Sequence, residues 1–407
     1  MKIAVWHNLP SGGGKRALFD HVSGLVKRGH EVVSWRPSSA DPNYLQLSSL
    51  IEENVLKCFY YDIQPKNRFD NIVKLIGHYL NIYSLRKNAK ENARIINNDN
   101  YEVLFANTCK FMASPFIGSY VNIPAVLYLQ EPKRSIYEAT PFNPIALPDM
   151  PENVKDIPMY LSKMIEDVFQ HRYFRIKARN EIKNARSFGK ILVNSYFSRE
   201  SVLRSYGINS EICYLGVDKI KFKRKKGAQR KRNVLTVGSV IPAKNISFII
   251  GSISHMKKPW PILTIVSNYV NDKYYNYIMG MSSRLGVKIE MYRDISDELL
   301  IEKYSEATAL AYSPRLEPFG YIPLEAGACS LPIVAVAEGG IRETVVNGVN
   351  GLLVDGNQEE MAEALSSLIN DPKKAAKFGK AGREIVENNW SLDDAVERLE
   401  IKLESMM

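Results

Sequence analysis

The chain has 407 residues, 45% of them apolar, and a net charge of +10. That length exceeds one ordinary core and predicts two domains, and the apolar fraction excludes a disordered chain. Cys58, Cys109, Cys213 and Cys329 are widely spaced with no Cys-x-x-Cys, which reads as reduced, buried thiols of a cytosolic protein rather than a disulfide frame or zinc site.

Met1 to Trp6 is too short an apolar run for a secretory signal and predicts a first strand. No run of 18 apolar residues follows anywhere, so no membrane span is expected. His7-Asn-Leu-Pro-Ser-Gly-Gly-Gly-Lys-Arg16 precedes a helix with apolar positions at Leu18, Val22, Leu25 and Val26. Gly12, Gly13 and Gly14 therefore sit at a helix N-terminus, where phosphate can approach the backbone. The dinucleotide G-x-G-x-x-G does not fit, because Lys15, Arg16 and Ala17 follow Gly14; nor does a P-loop, because Arg16 follows Lys15. Gly29 to Ser34 starts a second strand, and helix, glycine and strand in that order predict a doubly wound parallel sheet. Phe69, Ile72, Val73, Ile76, Tyr79, Leu80 and Tyr83 keep the spacing of a long amphipathic helix. Its apolar face is expected to be core, with a lipid-side or acceptor-side role as the other reading.

Val103–Ala106 and Ala125–Leu129 read as later strands. The second leads into Gln130-Glu131-Pro-Lys-Arg134 at a strand's carboxyl end, where doubly wound sheets bind ligands. Pro141 to Pro158 reads as an irregular loop, a lid or an acceptor contact. Leu161, Met164, Ile165, Val168, Phe169, Tyr173 and Ile176 mark another long helix. Ile191–Asn194 reads as a strand before a helix capped by Ser198. Lys219 to Arg232 then carries nine basic residues and no acid, and without it the net charge falls from +10 to +1. One reading is a solvated linker, since like charges repel and stay exposed. The other is attraction to anionic lipid head groups, about 1 kcal/mol per cation near the surface. No nucleic-acid recognition motif accompanies it.

Val234 to Gly238 reads as a strand, followed by Ser239 to Lys244 and a helix from about Asn245. Ile262–Val266 and Lys288–Met291 are further strands. The turn Tyr292-Arg293-Asp294 precedes a helix that starts near Ser296 with acids in its first turn. Thr308–Tyr312 predicts a buried strand, and after it runs Ser313-Pro-Arg-Leu-Glu-Pro-Phe-Gly-Tyr-Ile-Pro-Leu-Glu325. Pro323 suits a first helical turn. Glu317 precedes this helix and Glu325 lies inside it, while Phe319-Gly320-Tyr321 offers amides at its N-terminus, a seat for an anion. Two carboxylates able to accept from sugar hydroxyls thus flank a phosphate site, which asks for a sugar joined to a phosphate. The plainer reading makes Glu317 a solvated loop charge and Glu325 part of a helix-start preference.

Glu317-Pro318-Phe319-Gly320, then Leu324-Glu325-Ala326, Pro332–Val336 and Gly339-Gly340, resembles the E-x7-E signature of the family 4 retaining glycosyltransferases. The likeness is strong from about Asn233 to Gly356 and weaker, though correctly ordered, over the first 220 residues. It implies the α/β GT-B fold, two Rossmann-like doubly wound parallel-sheet domains facing across a cleft. Residues 1–218 would be the acceptor domain, joined by the basic linker 219–232 to a nucleotide-sugar donor domain at 233–387. A C-terminal helix of about 388–407 would cross back to the first domain.

The resemblance implies a retaining hexosyltransferase using a nucleotide-diphosphate sugar as co-substrate, with no cofactor and no metal. No Asp in the chain has another Asp two positions on, the pattern a metal-dependent GT-A enzyme would show. Lys244 would meet the diphosphate, with Gly238 and Ser239 beside it and Gly12, Gly13 and Gly14 facing it. The family has Arg where Ser239 stands, and Lys15, Arg16 or Arg315 would substitute for it. Ribose hydroxyls would bind Glu325, hexose hydroxyls Glu317, and the nucleobase would pack near Arg293. Pro318, Phe319, Gly320 and Tyr321 would complete the donor seat. Gln130 and Glu131 stand where the family commonly has a His and an acid close to the transferred sugar; Gln can donate to a sugar oxygen but cannot titrate.

The expected acceptor is a glycan or lipid-linked group at the cytoplasmic face of the membrane, with peripheral contact through 219–232. Three other readings are a GT-B epimerase releasing free nucleotide, a phosphorylase, and a catalytically impaired partner that binds a sugar nucleotide.

Overall fold

In the computed structural model the described residues are 1–61, 68–138, 150 and 152–407. They divide into two compact units. The first holds Met1–Val193, Arg199–Ile212 and Leu399–Met407, and the second holds Asn194–Ser198 and Cys213–Arg398.

In the first unit seven strands form a parallel sheet: β1 (Lys2–Asn8), β2 (Glu31–Pro37), β3 (Glu52–Leu56), β4 (Val103–Cys109), β5 (Ala125–Tyr128), β6 (Lys190–Val193) and β7 (Glu211–Ile212). Their order is β3-β2-β1-β4-β5-β6-β7. Ile3, Val5, Val103, Phe105, Val126 and Leu192 are fully buried, as strands covered on both faces must be. The order reverses between β1 and β4, so a crevice opens at the carboxyl ends of those two strands. The terminal segment is pinned to this unit by charge: Arg28 donates to Glu400 at 2.7 Å and Lys402 to Glu211 at 2.6 Å.

The second unit repeats the plan with β8 (Asn233–Val237), β9 (Ile262–Ser267), β10 (Ile289–Arg293), β11 (Ala309–Tyr312), β12 (Ile333–Val336) and β13 (Gly351–Val354). The order β10-β9-β8-β11-β12-β13 is again parallel and reverses between β8 and β11. Two Rossmann-like parallel-sheet units in one chain are the GT-B fold.

Several expectations need correction. Ser198 does not cap its helix: the helix is Tyr196–Tyr206, and Ser195 Oγ accepts from the Ser198 amide at 2.9 Å. The cap is one turn earlier because Ser195 stands three residues before that amide. The helix Arg68–Asn97 buries Leu85, Ala89, Ala93 and Ile96 but leaves Ile76, Leu80 and Tyr83 exposed, so these three expected core positions do not face the core; the side chains of Phe69, Ile72 and Val73 lie outside the described residues. Most of the Pro-rich stretch from Pro141 lies outside the described residues. Beyond it the chain is not a loop: Pro158 occupies the first turn of the helix Ile157–Ala185, where a missing amide hydrogen costs nothing.

The basic run is part of the second unit. Lys221, Lys225 and Lys231 pair with Asp297, Glu302 and Glu306 on the helix Asp297–Glu306. Arg230 donates to the carbonyls of Tyr304, Ala307 and Ser330.

Candidate functional site

In the second unit the chain leaves β8 through Gly238, whose φ of +142° suits glycine. It passes Ser239 and closes a short 3-10 turn, Pro242–Lys244. Leaving the neighbouring strand β11, it runs through Ser313 and Arg315 to Glu317. Two backbone-level ties hold the two turns together. The Arg315 amide donates to the Ala243 carbonyl at 2.8 Å, and Ser313 Oγ donates to the Asn245 carbonyl at 3.0 Å. Lys244 Nζ consequently sits 2.6 Å from Glu317 Oε2, both side chains half-buried. A charge-assisted pair of this length is strong and directional.

After Glu317 come Pro318 and Phe319, and then Gly320, which holds φ +100° at the start of the helix Tyr321–Ala328. A side chain at 320 would begin 2.7 Å from Thr344 Oγ1. The Glu317 carbonyl accepts from the Gly340 amide at 2.8 Å, and Glu338 accepts from both Arg315 and the Leu316 amide. The turn carrying the carboxylate is thus clamped from behind by residues 338–340.

Glu325 lies one turn into the helix and is only 2% exposed. It accepts from the Tyr304 hydroxyl at 2.9 Å, and burial together with this carboxylate pushes the Tyr304 hydroxyl well above its ordinary pKa. Arg293 ends the edge strand β10, its guanidinium 4.9 Å from the Tyr275 ring centre. Of the expected donor residues, the structure gathers Gly238, Ser239, Lys244, Glu317 and the 318–321 turn at the β8/β11 switch point. It sets Glu325 deeper and Arg293 two strands away.

In the first unit, the crevice at the ends of β1 and β4 is a cavity of about 580 Å³ lined by Gly12, Gly13, Gly14, Gln130, Glu131 and Lys133 among others. A Cβ on Gly14 would lie 3.1 Å from the Gln130 amide group, so the glycine loop and the residue after β5 meet. Lys15 does not serve as an exposed phosphate donor. It is 1% exposed, with Nζ 3.3 Å from His7 Nε2, which is itself 3.3 Å from Glu53. Arg36 Nε lies 3.0 Å from the other Glu53 oxygen. Burial holds His7 down to about 4 and Lys15 down to about 8. Burial pushes Glu53 up, but hydrogen bonds from His7 and Arg36 outweigh it and leave the carboxyl at about 2. Arg315, another of the three proposed substitutes with Lys15 and Arg16, pairs with Glu338 at 2.7 Å.

A cavity of about 650 Å³ lies at the opposite end of the second sheet, against Arg230, Thr308 and Pro332. It is remote from the strand carboxyl ends and from the residues above. Among the described residues no group of three or more His, Cys, Asp or Glu could hold a metal ion, and no helix is long and apolar enough to cross a membrane.

Residues 218–385 match the family Glycosyl transferases group 1. This stretch contains the whole second sheet and the Lys244–Glu317 pair. Over 220 residues, 48% of its length, the chain is 28% identical to a GDP-mannose-dependent alpha-(1-6)-phosphatidylinositol monomannoside mannosyltransferase of Mycolicibacterium smegmatis, covering 57% of that relative. Over 131 residues it is 32% identical to the alpha-1,3/1,6-mannosyltransferase ALG2 of Homo sapiens, covering 32% of each chain. The chain therefore spans 32% to 57% of the length of these relatives. The solved structure of Anabaena Alr3699/HepE in complex with UDP and glucose superposes with a TM-score of 0.74 over the full length of both chains at 18% identity, which is a likeness of fold.

Sequence reasoning missed Tyr304, Glu338 and the His7–Lys15–Glu53–Arg36 cluster. Tyr304 is 21 residues from Glu325 and Glu53 is 46 from His7, so no local spacing announces either pairing.

Proposed function

We propose that the chain transfers a sugar from a nucleotide-diphosphate sugar to an acceptor, with retention at the anomeric carbon and without a metal ion or cofactor. The observation that carries this reading is the Lys244–Glu317 pair at the β8/β11 switch point, set against the amides of a helix N-terminus. Lys244 and the amides near Gly238 and at 319–321 meet the diphosphate, and Glu317 accepts from hexose hydroxyls. The ribose hydroxyls are assigned to Glu325. In the first unit the reading gives the amides of Gly12–Gly14 an anion and the Gln130 carboxamide a sugar oxygen.

The bond from the anomeric carbon to the phosphate oxygen breaks, and one from the same carbon to the acceptor oxygen forms on the same face. The departing phosphate takes the acceptor's proton, so no protein nucleophile is required. Charge on the leaving group is met by preorganised donors, each worth about 3–4 kcal/mol in a transition state.

Lys244→Ala and Glu325→Gln test this directly; glutamine keeps an acceptor for Tyr304, so the helix stays packed. Each is expected to lower release of nucleoside diphosphate by about a hundredfold or more, while a chelator leaves the wild-type rate unchanged. Near-normal rates in both variants contradict the assignment, and loss of activity with the chelator contradicts its metal independence. A second reading, a sugar-nucleotide binder without turnover, is favoured by Ser239 and Gln130 standing where the resemblance expects Arg and His. A donor that binds but releases no nucleoside diphosphate supports it.

A further inference from the structure

Beside the glycine-loop crevice, the first unit holds a second cavity of about 260 Å³. At ~30 Å³ per water it has room for roughly nine waters, about the size of one substituted sugar ring. The segment after β4 divides the two spaces: Cys109 and Ala113 face the crevice, Lys110, Phe111 and Met112 face the cavity, and Lys133 lines both.

The walls combine flat rings with cations. Tyr60 stacks on Phe111 with centroids 3.8 Å apart, and His78 lies 4.7 Å from Tyr173. Lys110, Lys133 and Lys177 line the same space, and among the described residues no carboxylate is in its walls. Lys110 lies over the Phe111 ring at 4.9 Å, and Lys133 Nζ donates to the Lys110 carbonyl at 2.9 Å. Lys177 is the informative one. It is 6% exposed, and among the described residues its ammonium has a ring contact with Tyr173 at 5.9 Å but no hydrogen-bond acceptor.

Glu181, a buried acid whose charge reaches Lys177, makes its hydrogen bonds elsewhere. It accepts from the Ala113 amide at 3.1 Å and from the Tyr206 hydroxyl at 2.8 Å. A buried ammonium without an acceptor is costly, and an anionic ligand removes that cost. Aromatic walls meanwhile exclude water around the charge and offer apolar surface to a sugar ring.

We infer that this cavity binds an anionic sugar ring, a phosphorylated or carboxylated group carried by the acceptor, with the charge on Lys177, Lys110 and Lys133 and the ring enclosed by the aromatic side chains that line it. This deepens the proposed function by naming the acceptor's chemical class, and it rests on that reading only for calling the ligand an acceptor. Burial already depresses Lys177 to about 8, so its ammonium stands to gain from an anion.

The test uses the full chain, with mannose 6-phosphate, glucuronate and neutral mannose as probes, and phosphatidylcholine vesicles with and without phosphatidylinositol. Titration calorimetry reads the soluble arm and sedimentation the vesicle arm, each on wild type, Lys177→Met and Phe111→Ala. Saturable binding of a charged probe, at least about tenfold tighter than neutral mannose and weakened about tenfold in Lys177→Met, supports the inference with a soluble source. Phosphatidylinositol-dependent sedimentation lost in Lys177→Met supports it with a lipid source. No charged probe bound in either arm, or binding unchanged in Lys177→Met, overturns it. Nucleoside diphosphate binding measured on the same samples separates this outcome from failure of the donor reading. An unchanged far-UV spectrum shows Lys177→Met to be folded, and Phe111→Ala, which keeps every charge, is expected to weaken binding of the charged probe as well; unchanged binding in both variants overturns the inference.

Discussion

Lys15 follows three glycines at the start of a helix, which in sequence is the place for a phosphate-binding cation. In the folded unit it is buried with His7, Glu53 and Arg36, a cluster assembled from β1, β2, β3 and the first helix. Its effect is therefore on stability, and the sign follows from His7. An imidazole ordinarily near 6.5 is held at about 4 by burial. Above pH 6.5 it is neutral in both the folded and unfolded chain, and its contribution is complete. As pH falls from 6.5 towards 4 the unfolded chain takes up a proton that the folded chain refuses, and roughly 3 kcal/mol is lost. Glu53, held at about 2, loses its contribution only below its unfolded value of 4.5. Denaturant midpoints at pH 7 and pH 4.5 should therefore fall steeply for wild type and much less for His7→Gln. Equal falls in both proteins contradict the account. Lys244 and Glu317 were legible as residue types at strand ends, because turn and helix signals flank them. Their mutual distance was not legible, since 73 residues separate them.

The turn carrying Glu317 depends on a second turn for its shape. Gly339 holds φ +60°, and a Cβ there would lie 2.2 Å from the Glu317 carbonyl oxygen. Gly339→Ala must therefore move one turn or the other, while both sheets stay packed. The far-UV spectrum is expected to be unchanged and nucleoside diphosphate affinity to fall by about tenfold or more; unaltered affinity would show that the turn does not position the site. Elements with strong periodicity or apolar runs, such as β8, β9 and β11, were readable because burial on both faces leaves a continuous hydrophobic signature. The edge strand β3, with Glu52, Glu53 and Asn54, and the two-residue β7 carry no such signature and were not read. The basic run was read as a solvated linker or lipid contact. Its ties to the helix Asp297–Glu306 appear only when that helix is folded alongside it.

At the scale of the whole molecule, two parallel-sheet units were foreseeable from length and from strand–helix alternation. That Asn194–Ser198 counts with the second unit was not; the resemblance did expect a helix of about 388–407 to cross back, and Leu399–Met407 counts with the first. Those memberships rest on long-range bonds, such as Ser195 Oγ donating to the Pro318 carbonyl and Arg28 reaching Glu400. The charge distribution carries a prediction of its own. Three of the nine cations of 219–232 are paired with acids, so contact with an anionic surface is reduced from the sequence count but not abolished. Sedimentation with phosphatidylglycerol vesicles is expected at low salt and to be largely lost at high salt, where screening shortens to about 3 Å. Binding that ignores salt, or none at low salt, removes this run from the account of membrane contact.

The most direct test of the central claim is titration calorimetry of a panel of UDP- and GDP-sugars into wild type and Lys244→Ala. The account predicts that at least one donor binds wild type and binds Lys244→Ala about tenfold or more weakly, because the diphosphate loses its cation. A panel in which no donor binds, or in which the variant binds as tightly as wild type, contradicts it.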